Sequence, residues 1–427
     1  MKKSLIGITA ACFLTLCSCT STAVTNPATP AKTIPTKEPD MSSHPFSIPN
    51  DTYALMLEKS VMAKGNNVRI KKFLEKVRSG ENVYIACIGG SVTEGAGPAN
   101  FKDGYAYQFS KMISKAYSPN GVSNVIFNGA GLSGTSSVVG LIRYKQDVVD
   151  VLKTDPDLLV IEFAVNDGAE PTKQRAFEEL IRHALTAKPD AAVIALYSAA
   201  QYPNTQNQMS LVANHYNIPQ VSIQNAFNNR QDSFKDEQFY TDNVHPTKEG
   251  HTIMSDCLMN ILDIADKALP DEVYEIPSTY KKPHELSGFC QIKGDDDNVK
   301  IFAGSFNSTD SQTQSIKKTN KGDFPVNWYH KPGAGNEPFK MALNCKNLIL
   351  VYKDFGSWTG LKSGKAEIYV DGKLSQTVDG FTGKGWNNSL EVIVIDSDIA
   401  ENHTVEVKLA AGDEDKAFTI VAMGYSK

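Results

Sequence analysis

The sequence predicts an α/β domain whose parallel sheet lies between helices, followed by an all-β domain of sandwich type. Three observations carry this. "NVYIACIGG" (82–90), "NVIFNGAG" (124–131), "DLLVIEFAVND" (157–167) and "AAVIALYS" (191–198) are almost continuously apolar, as strands buried on both faces are. Helical stretches lie between them: in "QRAFEELIRHALTA" (174–187), Phe177, Leu180, Ile181, Ala184 and Leu185 share one face. Strand and helix in alternation make a parallel sheet covered on both sides, so 51–270 reads as one domain. After about residue 275 come the shorter runs "KNLILVYKDF", "KAEIYVDGKLSQTVDG", "SLEVIVIDS", "HTVEVKLA" and "AFTIVAMGY", with turn residues between them. Asp371-Gly372 is a strong hairpin signal, and 275–427 reads as a β-sandwich.

The 427 residues give ample length for two such domains. A net charge of −5, with no run of more than two Lys or Arg, argues against a nucleic-acid partner.

Ahead of the first domain, "MKKSLIGITAACFLTLCSC" sets Lys2 and Lys3 before an apolar run too short to span a membrane as an ordinary helix, which reads as an export signal over residues 1–19. Its end, Leu16 to Cys19, resembles the lipobox of bacterial lipoproteins, which implies cleavage before Cys19, lipid on that thiol and attachment to the outer face of the cell membrane. Several acyl chains are needed for stable anchoring. Residues 20–50, rich in Ser, Thr, Pro and Ala, read as a disordered tether with a reach of roughly 30 Å.

Cys12, Cys17 and Cys19 fall in this leader. Cys87, in an apolar strand, and Cys257, on an apolar helix face, read as buried thiols, while Cys290 and Cys345 are left free to pair or not. No CxxC or HExxH spacing points to a metal, and no cofactor is expected.

In open α/β sheets, ligands collect where strands end. The turn "GGSVTEG" after the first strand lacks the Lys-Ser/Thr of a phosphate loop. Gly129 to Gly134 match GxGxxG, yet follow the second strand instead of the first and lack a suitably spaced acid, which disfavours a dinucleotide. Around Ser91 the sequence Gly-Gly-Ser-Val-Thr lacks the second glycine of a G-x-S-x-G elbow. A serine is still activated if a histidine takes its proton and a carboxylate orients that histidine. "FYTDNVHPTKEGH" (239–251) supplies Asp242 and His245 three residues apart, with Pro246 suited to the first position of the next helix. By itself such a pair is a weak signal. Ser91, the Gly129–Gly134 turn, "VND" and the Asp242–His245 loop nevertheless all fall on one sheet edge.

In these four blocks the chain resembles the SGNH hydrolases, or GDSL esterases, over about residues 80–265. The resemblance implies a flavodoxin-like three-layer α/β/α domain, with Ser91 of "IGGSVTEG" as nucleophile and Asp242 and His245 of "TDNVHP" as its partners. It also implies an oxyanion hole from Ser91, Gly134 of "GAGLSGTSS" and Asn166 of "FAVND", with Gly131 the alternative to Gly134. The first block reads Gly-Gly-Ser where the family name implies Gly-Asp-Ser, so no acid precedes the serine. Glu162 and Asp167 read as hydrogen-bond hubs, Arg143 as the partner of one of them, His251 as a helix residue and His183 as part of an exposed helical stretch.

All three tryptophans fall in the second domain. Trp328 reads as core. Trp358 and Trp386, in glycine-rich loops, are candidates for stacking on sugar rings. The "AEIYVDG" hairpin and "HTVEV" strand resemble the jelly-roll domain of some carbohydrate acetylesterases. That resemblance implies an O-acetylated glycan as substrate, plant polysaccharide or bacterial envelope glycan. Two rivals stand beside it: a lysophospholipase or broad carboxylesterase of the same fold, and a non-catalytic glycan-binding lipoprotein.

Overall fold

A computed structural model describes residues 44–119, 122–280, 284–314 and 324–427. The export signal, Cys19 and most of the tether lie outside them. The end of the expected tether does not behave as one: Ile48 is buried, His44 stacks on Tyr53 at 4.0 Å and Phe46 packs on Phe234 at 4.8 Å. Three apolar or aromatic side chains within five residues suffice to hold this segment down.

The first sheet has six strands: β1 (Val61–Ala63), β2 (Val83–Gly89), β3 (Val125–Gly131), β4 (Leu158–Glu162), β5 (Ala192–Tyr197) and β6 (Gln220–Ser222), in the order β1-β6-β5-β4-β2-β3. β2 to β6 are parallel, in the flavodoxin-like order. The short β1 was not foreseen and pairs antiparallel with β6 at the edge. Separate apolar clusters fill the two helical layers, one holding Ile85, Cys87, Val160 and Ile194, the other Ala86, Ile88, Leu159 and Ile161. Successive residues of β2 and β4 thus enter opposite cores, which explains their unbroken apolar runs. The order reverses at β2, with β3 on one side and β4 on the other, and at such a switch point loops diverge to leave a crevice.

The second sheet has eight strands, β7 (Cys290–Ile292), β8 (Val299–Phe302), β9 (Trp328–His330), β10 (Phe339–Asp354), β11 (Lys365–Val370), β12 (Lys373–Asp379), β13 (Asn388–Leu409) and β14 (Phe418–Ser426), all paired antiparallel. "SLEVIVIDS" and "HTVEVKLA", expected as two strands, are one: β13 contains neither Gly nor Pro, and 397–400 loop out between the Asn347↔Asp396 and Cys345↔Glu401 pairs. At the same place β10 passes from pairing with β8 to pairing with β14, so both halves enclose one core of Met341, Leu343, Leu350, Val405, Val407 and Ile420. Asp371 and Gly372 both take positive φ, 50° and 78°, as their tight hairpin demands.

The other face of this sheet is not solvated. Ile349 and Val351 of β10, with Val421 and Ala422 of β14, belong to the same cluster as Leu141 and Ile142 of the helix Ser137–Tyr144. An Arg175–Asp396 ion pair, with contacts of 2.9 and 3.1 Å, closes the junction. The β domain is therefore docked on the α/β domain through apolar core. None of Cys87, Cys257, Cys290 and Cys345 is in a disulfide; Cys290 is exposed and Cys345 buried.

Candidate active site

Ser91 opens a single helical turn, Ser91–Glu94, directly after β2. Gly90 before it is obligatory, since a Cβ there would stand 2.1 Å from Asn166 Oδ1. Arg143, fully buried, does not meet Glu162 or Asp167 as expected. Its helix directs it to the end of β2, where it donates to Gly89 O at 3.0 Å and pairs with Asp147, one turn on, at 3.2 Å.

His245 Nε2 lies 2.8 Å from Ser91 Oγ, and its Nδ1 lies 2.6 Å from Asp242 Oδ2. The other Asp242 oxygen accepts the backbone N–H groups of Val244 and His245, both at 2.8 Å, which folds 242–245 into a turn that carries acid and imidazole together. Burial pushes the Asp242 carboxyl up, but the His245 N–H, the imidazole and the Val244 N–H outweigh it and hold the group below the usual carboxylate range. A charged acceptor on Nδ1 keeps the proton there and leaves Nε2 to accept from the serine. Pro246 does not open the helix as expected. Thr247 caps the helix Lys248–Lys267 by accepting from Gly250 N–H, and Pro246 instead bridges to Tyr240.

Gly134 (φ 67°) lines the same cleft as Ser91 and Asn166. Gly131 does not: it ends β3, and a Cβ there would meet Glu94 N at 2.1 Å. Asn166 follows β4 in a turn closed by its own N–H to Phe163 O at 2.9 Å. Its neighbour Asp167 accepts the Ser137 N–H at 2.8 Å, tying the Asn166 turn to the first helical residue after the Gly134 turn. Burial pushes the Asp167 carboxyl up to about 7, against its bonds to Ser137. Burial does the same to Glu162, also to about 7, against the Thr93 hydroxyl, which donates to it at 2.9 Å. His251 is wholly buried, accepting from Tyr105 N–H through Nδ1 and donating through Nε2 to Ala96 O, and burial takes its pKa down to about 4. His183 stands half-buried, edge-on to Tyr144, and is not simply exposed.

The cleft has a volume of about 840 Å³ and is not built by the first domain alone. Gln312, Thr313, Gln314, Trp386 and Asn387 of the β domain line it together with Ser91 and His245. Sequence reasoning singled out Trp386 but missed Gln312 to Gln314, which sit in a segment with no motif or periodicity. Trp358 is two-thirds exposed, packs over Gly356 and does not line the cleft. Trp328 is buried against Phe339. Among the described residues no group of His, Cys, Asp or Glu side chains is placed to hold a metal ion.

A hydroxyl in contact with an imidazole that a carboxylate orients, at the switch point of a flavodoxin-like sheet, is the arrangement that serine hydrolases use. Residues 87–253, which include Ser91, Gly134, Asn166, Asp242 and His245, match the model of the GDSL-like lipase/acylhydrolase family. The α/β part of the chain is a domain of that family, and the protein is a carboxylic ester hydrolase of the GDSL/SGNH type. A two-domain esterase active on acetylated mannans, crystallised with mannopentaose, is 23% identical with a TM-score of 0.72 over 87% of this chain and 98% of its own, a likeness in fold that takes in both domains. An acetylxylan esterase from Geobacillus stearothermophilus is 17% identical over 43% of this chain and 96% of its own, with a TM-score of 0.34. No curated protein matches the sequence.

Proposed function

We propose that the protein removes O-acetyl groups from a carbohydrate with Ser91 as nucleophile. The contact that carries this reading is the 2.8 Å from Ser91 Oγ to His245 Nε2. As Oγ attacks the ester carbonyl, its proton passes to Nε2, and the imidazolium that forms is stabilised by Asp242. Negative charge on the carbonyl oxygen is met by the N–H groups of Ser91 and Gly134 and the Asn166 amide. Collapse of the tetrahedral species breaks the C–O bond, the sugar hydroxyl leaves with the proton from His245, and an acetyl group stays on Ser91. Water, deprotonated by the same imidazole, then releases acetate.

A sugar substrate is supported by the cleft itself, which is lined by the Trp386 indole together with Gln312 and Asn387, a surface suited to a polyhydroxylated ring. The acetyl group is supported by what the two-domain esterase of like fold acts on. Acetate release from acetylated mannan, xylan and peptidoglycan by residues 44–427, beside Ser91→Ala, tests it. Loss of release in Ser91→Ala supports the reading, whereas cleavage of long-chain esters alone moves it to a lipase.

The same reading places the enzyme outside the cell membrane on a lipid at Cys19, supported by the leader sequence "MKKSLIGITAACFLTLCSC". Among the described residues no helix is long and apolar enough to cross a membrane. Incorporation of a labelled fatty acid that persists in Cys19→Ala would sink that part.

A further inference from the structure

The turn that presents Gly134 is bonded by a side chain of the β domain. Leu132 to Thr135 form a β-turn closed by Thr135 N–H to Leu132 O at 3.4 Å. Gly134, its third residue, has φ 67°, while Ser133 before it stays at negative φ, which makes the turn type II. Types I and II differ by reversal of the central peptide, here the one joining the Ser133 carbonyl to the Gly134 N–H. In a trans peptide those two groups point in opposite directions, so reversal would put a carbonyl oxygen where the oxyanion donor stands.

Gln314 Nε2 donates to Ser133 O at 2.7 Å, and Gln314 Oε1 accepts from Ser389 N–H at 2.8 Å. Both partners are backbone groups of fixed polarity, so the orientation of the amide is determined. The segment before it is anchored in turn. Gln312 N–H donates to Asp310 Oδ1 at 2.8 Å, and Asp310 Oδ2 holds the buried Lys353 ammonium at 2.5 Å and the Thr419 hydroxyl at 2.7 Å. Beyond the turn, Ser136 Oγ donates to Glu391 at 2.9 Å. The β domain thus grips the turn at both ends.

We propose that Gln314 is a positioning residue for the esterase, a latch from the second domain that keeps the 133–134 peptide in the state that donates to the oxyanion. The inference rests on the serine-esterase reading above. Removing the latch lowers kcat in proportion to the fraction of molecules whose turn stays competent. It also weakens polarisation of the Gly134 N–H, because a carbonyl that accepts a hydrogen bond strengthens its own amide as donor.

The test compares Gln314→Met and Gln314→Glu in the full chain. Methionine matches the length without hydrogen bonding. Glutamate still accepts from Ser389 but turns an acceptor on the Ser133 carbonyl, and it rewards the reversed peptide, whose Gly134 N–H would point at the carboxylate. The expected order of kcat on 4-nitrophenyl acetate is parent above Gln314→Met, about tenfold down, above Gln314→Glu, about 100-fold down, short of or near the 10²- to 10³-fold typical of losing a donor outright. KM should stay within about twofold, since ground-state binding does not use the donor. The rate at which an organophosphonate modifies Ser91 should fall in the same order, because that reaction also builds charge in the oxyanion hole. Equal kcat and phosphonylation rates in all three proteins would overturn the latch. So would losses that follow melting temperature instead of the Met-to-Glu order. Full activity in Ser91→Ala would instead mean that the esterase reading has failed.

Discussion

The Trp386 indole lies so close to Gly134 that a Cβ on that glycine would stand 2.8 Å from its Cζ2. A residue of the β domain thus covers the backbone of the Gly134 turn and also lines the cleft, where Trp386 remains 43% exposed. The Gly134 turn and the cleft share a wall that belongs to the second domain.

Trp386→Ala should therefore separate glycan from small ester. Stacking on an aromatic ring contributes roughly 0.5–1.5 kcal/mol, so KM for an acetylated oligosaccharide should rise about 2- to 12-fold. KM for methyl acetate, too small to use the platform, should hold. If both change alike, Trp386 shapes the site and does not bind sugar.

The proposed oxyanion donors make a second case. Asn166→Ala should lower kcat roughly 10²- to 10³-fold with little change in melting temperature. Gly90→Ala should reproduce that loss with Asn166 still present, because its Cβ would occupy the space 2.1 Å from Asn166 Oδ1 and push the amide aside. A Gly90→Ala enzyme as active as the parent would show that the amide can shift without consequence and does not contact the oxyanion.

Much of this arrangement was legible in the chain, and the boundary of legibility is physical. Ser91, Gly134, Asn166 and the Asp242–His245 pair each lie shortly after an apolar strand or shortly before a helix, so local pattern locates them and sheet topology gathers them. The antiparallel edge strand β1 has only three half-buried residues, too few to show a period. The choice of pairing partner hid the rest. The polar stretch within β13 looks like a turn until β10 is laid beside it. Arg143 was expected beside a strand-end carboxylate, but its own helix supplies Asp147 one turn later. Gln314 bonds across a domain junction, and nothing within its own stretch of sequence marks it.

Asp242→Asn bears on the orientation of His245. An asparagine can keep its Oδ1 on the Val244 and His245 N–H groups, but its NH₂ would face His245 Nδ1. The imidazole would then carry its proton on Nε2 and could not take one from Ser91. Because the Asp242 side chain is 49% exposed, water can partly replace it, and the expected loss in kcat is roughly 10²- to 10³-fold, less than the ~10⁴ of a fully buried triad. A loss below about fivefold would leave His245 oriented by something other than the acid.

Asp167 links the stability of the site to pH. Its carboxyl is pushed up to about 7 in the folded protein, from 3.8, because burial disfavours the charge more than the Ser137 N–H relieves it. Between those two values the folded state holds a proton that the unfolded chain has released, so this group costs stability as pH rises through 4 to 7, and the cost is complete above 7. Asp167→Asn removes the titration while retaining an oxygen for the Ser137 N–H. The variant should melt close to the parent at pH 4 and progressively above it toward pH 8, at roughly 2–4 °C for each kcal/mol recovered in a domain of this size. Glu162 and Glu179, raised in the same sense, stay in both proteins and cancel from the difference. A melting-temperature gap that is constant with pH would show that Asp167 is charged in the folded state throughout the range, held by Ser137 more firmly than burial opposes.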